Sequence, residues 1–367
     1  MTATLVPRHR RYRGRCGRMR VRGFSERCEQ FRNVARAAPK SLKAQALAHG
    51  ISGACVKDMI PLRSILVDVD AATPEHPALE HAIALAARRG ACVKVIDVLP
   101  CVPESARGFV TAGLEAELVE HRRERLAQIA ERVTSVPVTT ELLRGRPGSA
   151  LVQEVLRSRH DLVVRSHGRD ISDLPRPFGA IDMELLRQCP CPVWLVDRRV
   201  FGRTPLRILA AVHANPDDPA EQALNTTILD WAAMLKESEG SVTALQAWTP
   251  YGASLLESRM SPEEFADVIE AARTSEDRAL STFLAEYGGR PIDIAKQLVR
   301  GEPEDAIADF VESHRIDVVV MGTVARTGIA GLVMGNTAER VLRRLRGSVL
   351  AVKPLGFHSR DSHVEPH

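Results

Sequence analysis

From about residue 60 onward, short apolar runs alternate with longer amphipathic ones. The first half holds apolar runs at Ser64–Val69, Ala91–Leu99, Val136–Leu143, Leu162–Arg165 and Pro192–Val196. The second half holds them at Leu206–Val212, Val242–Trp248, Ile292–Val299, Val318–Met321 and Ser348–Val352. These runs are rich in β-branched residues and bounded by turn residues, which predicts strands. Between them, Ala78–Arg88, Leu114–Arg132 and Ala150–Leu156 carry helical spacing. Ser261-Pro262-Glu263-Glu264 predicts a helix start, with Ser as N-cap, Pro at the first position and Glu at the third. Strand–helix alternation implies parallel sheets with right-handed crossovers, a doubly wound, Rossmann-like α/β fold. Continuous apolar runs such as Asp317–Gly322 suit strands buried on both faces.

The pattern occurs twice. Arg144–Val164 aligns without gaps on Arg300–Val320 at an offset of 156, with nine identities in 21 positions. The starts also correspond, Ile65-Leu66 with Ile208-Leu209, at an offset of 143, so the second copy carries 13 extra residues, mostly in its middle. The ends correspond as Cys191–Val196 with Gly347–Val352. We therefore expect a first domain over residues 60–198, a second over 206–355 and a short polar linker near Asp197–Pro205. In such sheets ligands sit beyond the carboxyl ends of the strands, where strand order reverses. The residues to search follow Val69, Val164, Val212 and Met321.

Charge divides the chain. Residues 1–58 hold 14 Lys and Arg against 3 Asp and Glu, whereas the remainder holds 36 against 43. The basic arm, residues 1–59, lacks periodicity and predicts disorder. A nucleic-acid tail, a transit peptide and a natural start at Met59 are the alternatives for it. The acidic body repels phosphate backbones, and aromatics make up only 4% of the chain, which argues against nucleic acid as a partner except through that arm. The seven cysteines are odd in number and form no Cys-x-x-Cys, which points to a reducing, cytoplasmic compartment rather than a secreted disulfide framework. No apolar run reaches membrane-spanning length; Val318–Gly335 comes nearest, and Arg326 interrupts it.

The chemistry concentrates after the fourth strand of the second copy. Gly322 stands at the strand exit, Gly328 and Gly331 punctuate the connection, and Gly335-Asn336-Thr337 opens a helix. A glycine before a helix start exposes backbone N–H groups at the positive end of the dipole, a natural anion site. Asn336 is the expected N-cap, with Glu339 completing a capping box.

Gly322-x2-Ala325-x9-Gly335-Asn336 resembles the Gly-x2-Gly-x9-Gly-[Ser/Thr] loop of nucleotide-binding universal stress proteins. Two of its four positions depart: Ala325 stands for a glycine and Asn336 for a hydroxyl residue, with Thr337 adjacent. Together with the two copies, the loop identifies a resemblance to tandem members of that family over residues 60–355. The resemblance implies a stress-response role and two copies paired through their last strands as an intramolecular pseudo-dimer. It also implies an Asp at the end of the first strand on the adenine side of a nucleotide. The first copy has Asp70 there, and the second has His213. The first copy lacks the loop, keeps only Gly179 as an echo of it, and crowds Asp170, Asp173, Asp182 and Glu184 nearby. ATP, if bound, belongs to the second copy.

Other candidates have plain structural readings. Cys189 and Cys191 lack the partner pair that a metal or redox centre needs. Arg340, Arg343, Arg344 and Arg346 cluster on the last helix as a solvated face, with a partner or phosphate patch as the alternative. His213 and His314 are lone histidines, and Trp194, Trp231 and Trp248 read as packing. No Walker loop, no Gly-x-Gly-x-x-Gly after the first strand, no His-Glu-x-x-His and no Gly-x-Ser-x-Gly occurs. The first strand's exits, DVDAATPEHP and VHANPDDPAE, lack the Ser-Gly-Gly-rich loop of ATP pyrophosphatases. The reading is a cytoplasmic, non-enzymatic stress-response protein acting through a partner, a homo-oligomer or a small ligand. An ATP-binding switch with slow hydrolysis in the second copy stays open beside it. No cofactor is required by the first reading; ATP is required by the second. No metal site is expected.

Overall fold

The computed structural model describes residues 60–102, 104–106, 111–168, 178–200, 202–288, 292–323 and 334–354. The basic arm, Ala325, Gly328, Gly331, Asp170 and Asp173 lie outside them. The first copy runs β1 (Ser64–Asp68), α1 (Pro77–Arg89), β2 (Cys92–Leu99), α2 (Ala112–Glu131), β3 (Val138–Arg144), α3 (Pro147–Ser158), β4 (Leu162–His167), α4 (Ala180–Gln188) and β5 (Val193–Asp197). The second runs β6 (Arg207–Ala211), α5 (Pro219–Leu235), β7 (Ser241–Trp248), α6 (Ala253–Arg259), α7 (Pro262–Tyr287), β8 (Ile294–Arg300), α8 (Pro303–Ser313), β9 (Val318–Gly322), α9 (Asn336–Arg344) and β10 (Ser348–Val352). The extra length of the second copy goes into α6 and into α7, which has 26 residues against 20 in α2.

Five helices open on a proline, Pro77, Pro147, Pro219, Pro262 and Pro303, where the missing N–H costs nothing. The capping box predicted at Ser261 forms: Ser261 N donates to Glu264 Oε2 at 2.9 Å and Glu264 N to Ser261 Oγ at 3.3 Å. The box predicted at Asn336 does not. Gly335 is the N-cap of α9, Asn336 is already its first helical residue, and no side chain caps the start. Glu339 turns instead to Arg343 (2.8 Å) and to Arg187 of the first copy (3.3 Å). Two arginines outcompete a single backbone N–H for one carboxylate.

Among the described residues, ten strands join one sheet, in the order β3-β2-β1-β4-β5-β10-β9-β6-β7-β8. Every neighbouring pair is parallel except β5–β10 at the centre, where Leu195, Trp194 and Val193 face Val349, Leu350 and Ala351 antiparallel. The order is a palindrome, so the two copies meet last strand to last strand about a pseudo-two-fold axis. Side chains of these strands alternate between two apolar layers, each continuous across both copies. Helices α1, α2, α5 and α7 cover one face. Helices α3, α4, α8 and α9 cover the other. Trp194 and Trp231 are among the largest fully buried side chains, and Trp248 is buried too. Strand order reverses between β1 and β4 and again between β6 and β9, which leaves one crevice per copy.

Candidate functional site

In the second copy, the chain leaving β6 is held by buried amides. His213 N donates to Asn225 Oδ1 (3.1 Å), Asn225 Nδ2 donates back to His213 O (2.8 Å), and Ala214 N donates to Gln246 Oε1 (2.8 Å). Asn225 and Gln246 are buried, and Gln246 passes the chain on to Glu276 at 2.6 Å. Both backbone groups of His213 are thereby used, and the residue, half-buried, follows the carboxyl end of β6.

Opposite, β9 ends at Gly322. A Cβ there would lie 2.8 Å from Leu224 Cδ2, so the close approach of α5 accounts for this glycine. Thr323 follows, buried, its N–H donating to Val352 O (3.2 Å) and its carbonyl accepting from Gly335 N (3.0 Å). Thr323 Oγ1 is buried and has no partner among the described residues. The Gly335 N–H is therefore spent on Thr323, and among the described residues the first-turn amides of α9 without a partner are those of Asn336, Thr337 and Ala338. Structure thus brings Gly322, Gly335, Asn336, Thr337 and His213 to the carboxyl ends of β6 and β9; Ala325 lies outside the described residues.

The first copy uses the same place differently. Arg122 of α2 donates to Asp70 Oδ1 and to Asp97 Oδ2, both at 2.8 Å. Burial opposes the Arg122 charge, and Asp97 and Asp70 outweigh it and hold its pKa above the ordinary arginine value. Deeper in, Arg165 of β4 bridges Asp68 of β1 and Asp182 of α4, the latter at 2.9 Å. Asp182 also accepts from Gly179 N (2.9 Å), so α4 begins on a glycine as α9 does. Ser166 Oγ accepts from Ala78 N (3.2 Å), closing the start of α1. His167 is buried, donates through Nε2 to Gly347 O of the second copy (3.0 Å), and has its pKa lowered by burial against the pull of Asp197 and Asp182.

Equivalent positions show how far the crevices have diverged. Asp68, Arg165 and Asp182 correspond to Ala211, Met321 and Ala338, an ion-pair triad against three apolar side chains. Ser166 corresponds to Gly322 and His167 to Thr323. The sequence reading missed the triad and Arg122; charged residues inside otherwise apolar strands, Asp68 and Arg165, were the signal that could have found them. Cys189 and Cys191 lie 3.5 Å apart, sulfur to sulfur, at the edge of the apolar layer. Among the described residues no group of three or more His, Cys, Asp or Glu could hold a metal ion, and no helix is long and apolar enough to cross a membrane.

The sequence pattern of the universal stress protein family matches residues 61–197 and again 207–353. Universal stress protein E of Escherichia coli K12 is 29% identical over 311 residues, covering 81% of this chain and 95% of that protein. The Salmonella typhi protein of that name is 27% identical over 311 residues, covering 81% and 96%. Among solved structures, a functionally unknown Pseudomonas aeruginosa protein superposes with a TM-score of 0.57 at 26% identity, covering 80% of this chain and 93% of its own. Two family domains in tandem, joined through their last strands, and this similarity along most of the chain establish that it belongs to the universal stress protein family, as a tandem member resembling universal stress protein E.

Proposed function

We propose that this chain is a cytoplasmic, non-enzymatic stress-response protein that acts by binding, either to a partner, to a further copy of itself or to a small ligand. Family membership supports the stress-response role. The observation that carries the rest is the state of the first crevice. Arg165 is shared between Asp68 and Asp182 inside it, and Arg122 is paired with Asp70 at its mouth. A site filled by its own ion pairs offers neither a free base nor room for a triphosphate.

A second reading, an ATP-binding switch with slow hydrolysis, has one observation in its favour. Among the described residues, the first-turn amides of α9 beyond Gly335 and the Thr323 hydroxyl beside them have no partner in the second crevice. ATP titration of the purified protein separates the readings. Under the first, binding is no tighter than about 1 mM, a free energy of about −4 kcal/mol, and Gly335→Asp leaves it unchanged. Micromolar binding that Gly335→Asp abolishes, with ATP recovered by mass spectrometry from the native protein, would replace the first reading by the second.

A further inference from the structure

At the opposite end of the second copy lies a cavity of about 640 Å³ lined by five arginines, Arg199, Arg315, Arg343, Arg344 and Arg346. They come from separate segments that the sheet gathers. Arg315 sits just ahead of β9, Arg346 just ahead of β10, and Arg343 and Arg344 end α9. Arg199 follows β5, whose carboxyl end reaches this place because β5 and β10 are antiparallel. Two carboxylates, Asp309 and Glu312, share the lining. A further pocket of about 620 Å³ continues from Arg315 to Arg203 and Arg207.

Three of the five charges are answered locally: Arg199 by Asp197, Arg343 by Glu339 and Arg344 by Asp305. Arg315 and Arg346 make no ion pair among the described residues, and both are exposed. Arg315 holds a left-handed backbone (φ 51°), as does its equivalent Arg159 in the first copy (φ 54°), a helix-end conformation that both copies share. The first copy supplies an internal comparison. Its residues equivalent to Arg315, Arg343, Arg344 and Arg346 are Arg159, Arg187, Gln188 and Pro190, so Arg344 and Arg346 are the arginines that the second copy alone carries.

We propose that this arginine-lined cavity binds a small anion carrying two or three linked phosphates. Guanidinium forks match phosphate oxygens bidentately, and arginines spread over several segments suit a chain of phosphates better than a single one. The volume is that of a small-molecule site. Duplex or single-stranded nucleic acid fits less well, because the body outside the arm carries 43 acidic against 36 basic residues. The cavity lies at the amino ends of β9 and β10, so it is separate from the crevice beyond their carboxyl ends.

The test is calorimetric titration of the full chain with sodium tripolyphosphate, with orthophosphate and ATP as further arms. Tripolyphosphate is expected to bind below about 100 μM at low salt, to weaken as salt rises, and to exceed orthophosphate at least about tenfold. The double variant Arg315→Ala/Arg346→Ala should weaken it at least about tenfold, and Arg346→Glu alone at least as much, while Gly335→Asp leaves it unchanged. Thermal melts of each variant check that the fold persists. ATP binding lost in the arginine variants would extend the site to nucleotides. No tripolyphosphate binding at 1 mM, or binding lost in Gly335→Asp and kept in both arginine variants, overturns the proposal.

Discussion

At the scale of single residues, the glycines of the second copy separate into two kinds. Gly322 answers to packing, since a Cβ would press on Leu224 at 2.8 Å. Leu224 is only partly buried and its methyl is the end of a flexible side chain, so Gly322→Ala should destabilise by only about 1–2 kcal/mol. In Gly322→Ala/Leu224→Ala the clash is gone, and urea unfolding should find the double variant no less stable than Leu224→Ala alone, a non-additivity expected of touching residues. Additive losses would mean that Gly322 serves something other than the approach of α5. Gly335 answers to the chain's direction: it gives its N–H to Thr323 and starts α9. From sequence, Asn336 was the better N-cap by residue type, and a shift of one position was beyond that reasoning. The cap position here follows from the bond of Gly335 N to Thr323 O, twelve residues back, which no local pattern encodes.

At the scale of elements, the strands and most helices were legible because their spacing is physical: two residues per strand period, 3.6 per helix turn. The predicted Ala150–Leu156 is the interior of α3, and its ends were missed at Pro147 and Ser158. What joins the elements was not legible. Arg122 reaches Asp70 and Asp97 across 52 and 25 residues, and Arg165 reaches Asp68 across 97. The triad it forms is open to a direct test, because the second copy shows the apolar alternative in place. Arg165→Met alone leaves two buried carboxylates without their cation and should cost about 3–5 kcal/mol. The triple variant Asp68→Ala/Arg165→Met/Asp182→Ala installs the residues of the second copy. It should come back to within about 1–2 kcal/mol of the parent, the remainder reflecting the lost cap on Gly179. Chemical denaturation of both variants measures this. A triple variant as unstable as the single one would show that the triad supports the fold in a way the apolar layer cannot.

At the scale of the whole molecule, one sheet carries two differently built halves, and acid should tell them apart. The first copy buries a second charged group at the amino ends of its strands. Glu154 of α3 accepts from Lys94 Nζ (2.6 Å), Ser158 Oγ (2.7 Å) and His160 Nε2 (3.4 Å), and His160 Nδ1 meets Ser64 Oγ at 2.7 Å. Burial alone would push the Glu154 pKa up, but the hydrogen bonds from His160, Lys94 and Ser158 outweigh it and hold the carboxyl well below the usual range. Asp197, opposed by burial and held by Arg199, is lowered too. In the second copy the equivalents of Lys94, Glu154 and His160 are Thr243, Phe310 and Ile316, and Phe310 packs in the apolar layer. A carboxylate whose folded pKa is depressed binds protons more weakly than in the unfolded chain. Its contribution is therefore complete above the ordinary value, 4.5 for Glu, and is lost as pH falls below that. Hydrogen exchange between pH 6 and about pH 3 should show amides of β2 and α3 losing protection before those of β7 and α8. Glu154→Gln should lower stability at neutral pH and flatten its fall in acid, since the group that titrates is gone. Simultaneous loss in both halves, or earlier loss in β7 and α8, would mean that the antiparallel seam at β5–β10 binds the copies into one cooperative unit in which the charged layer has no separate say.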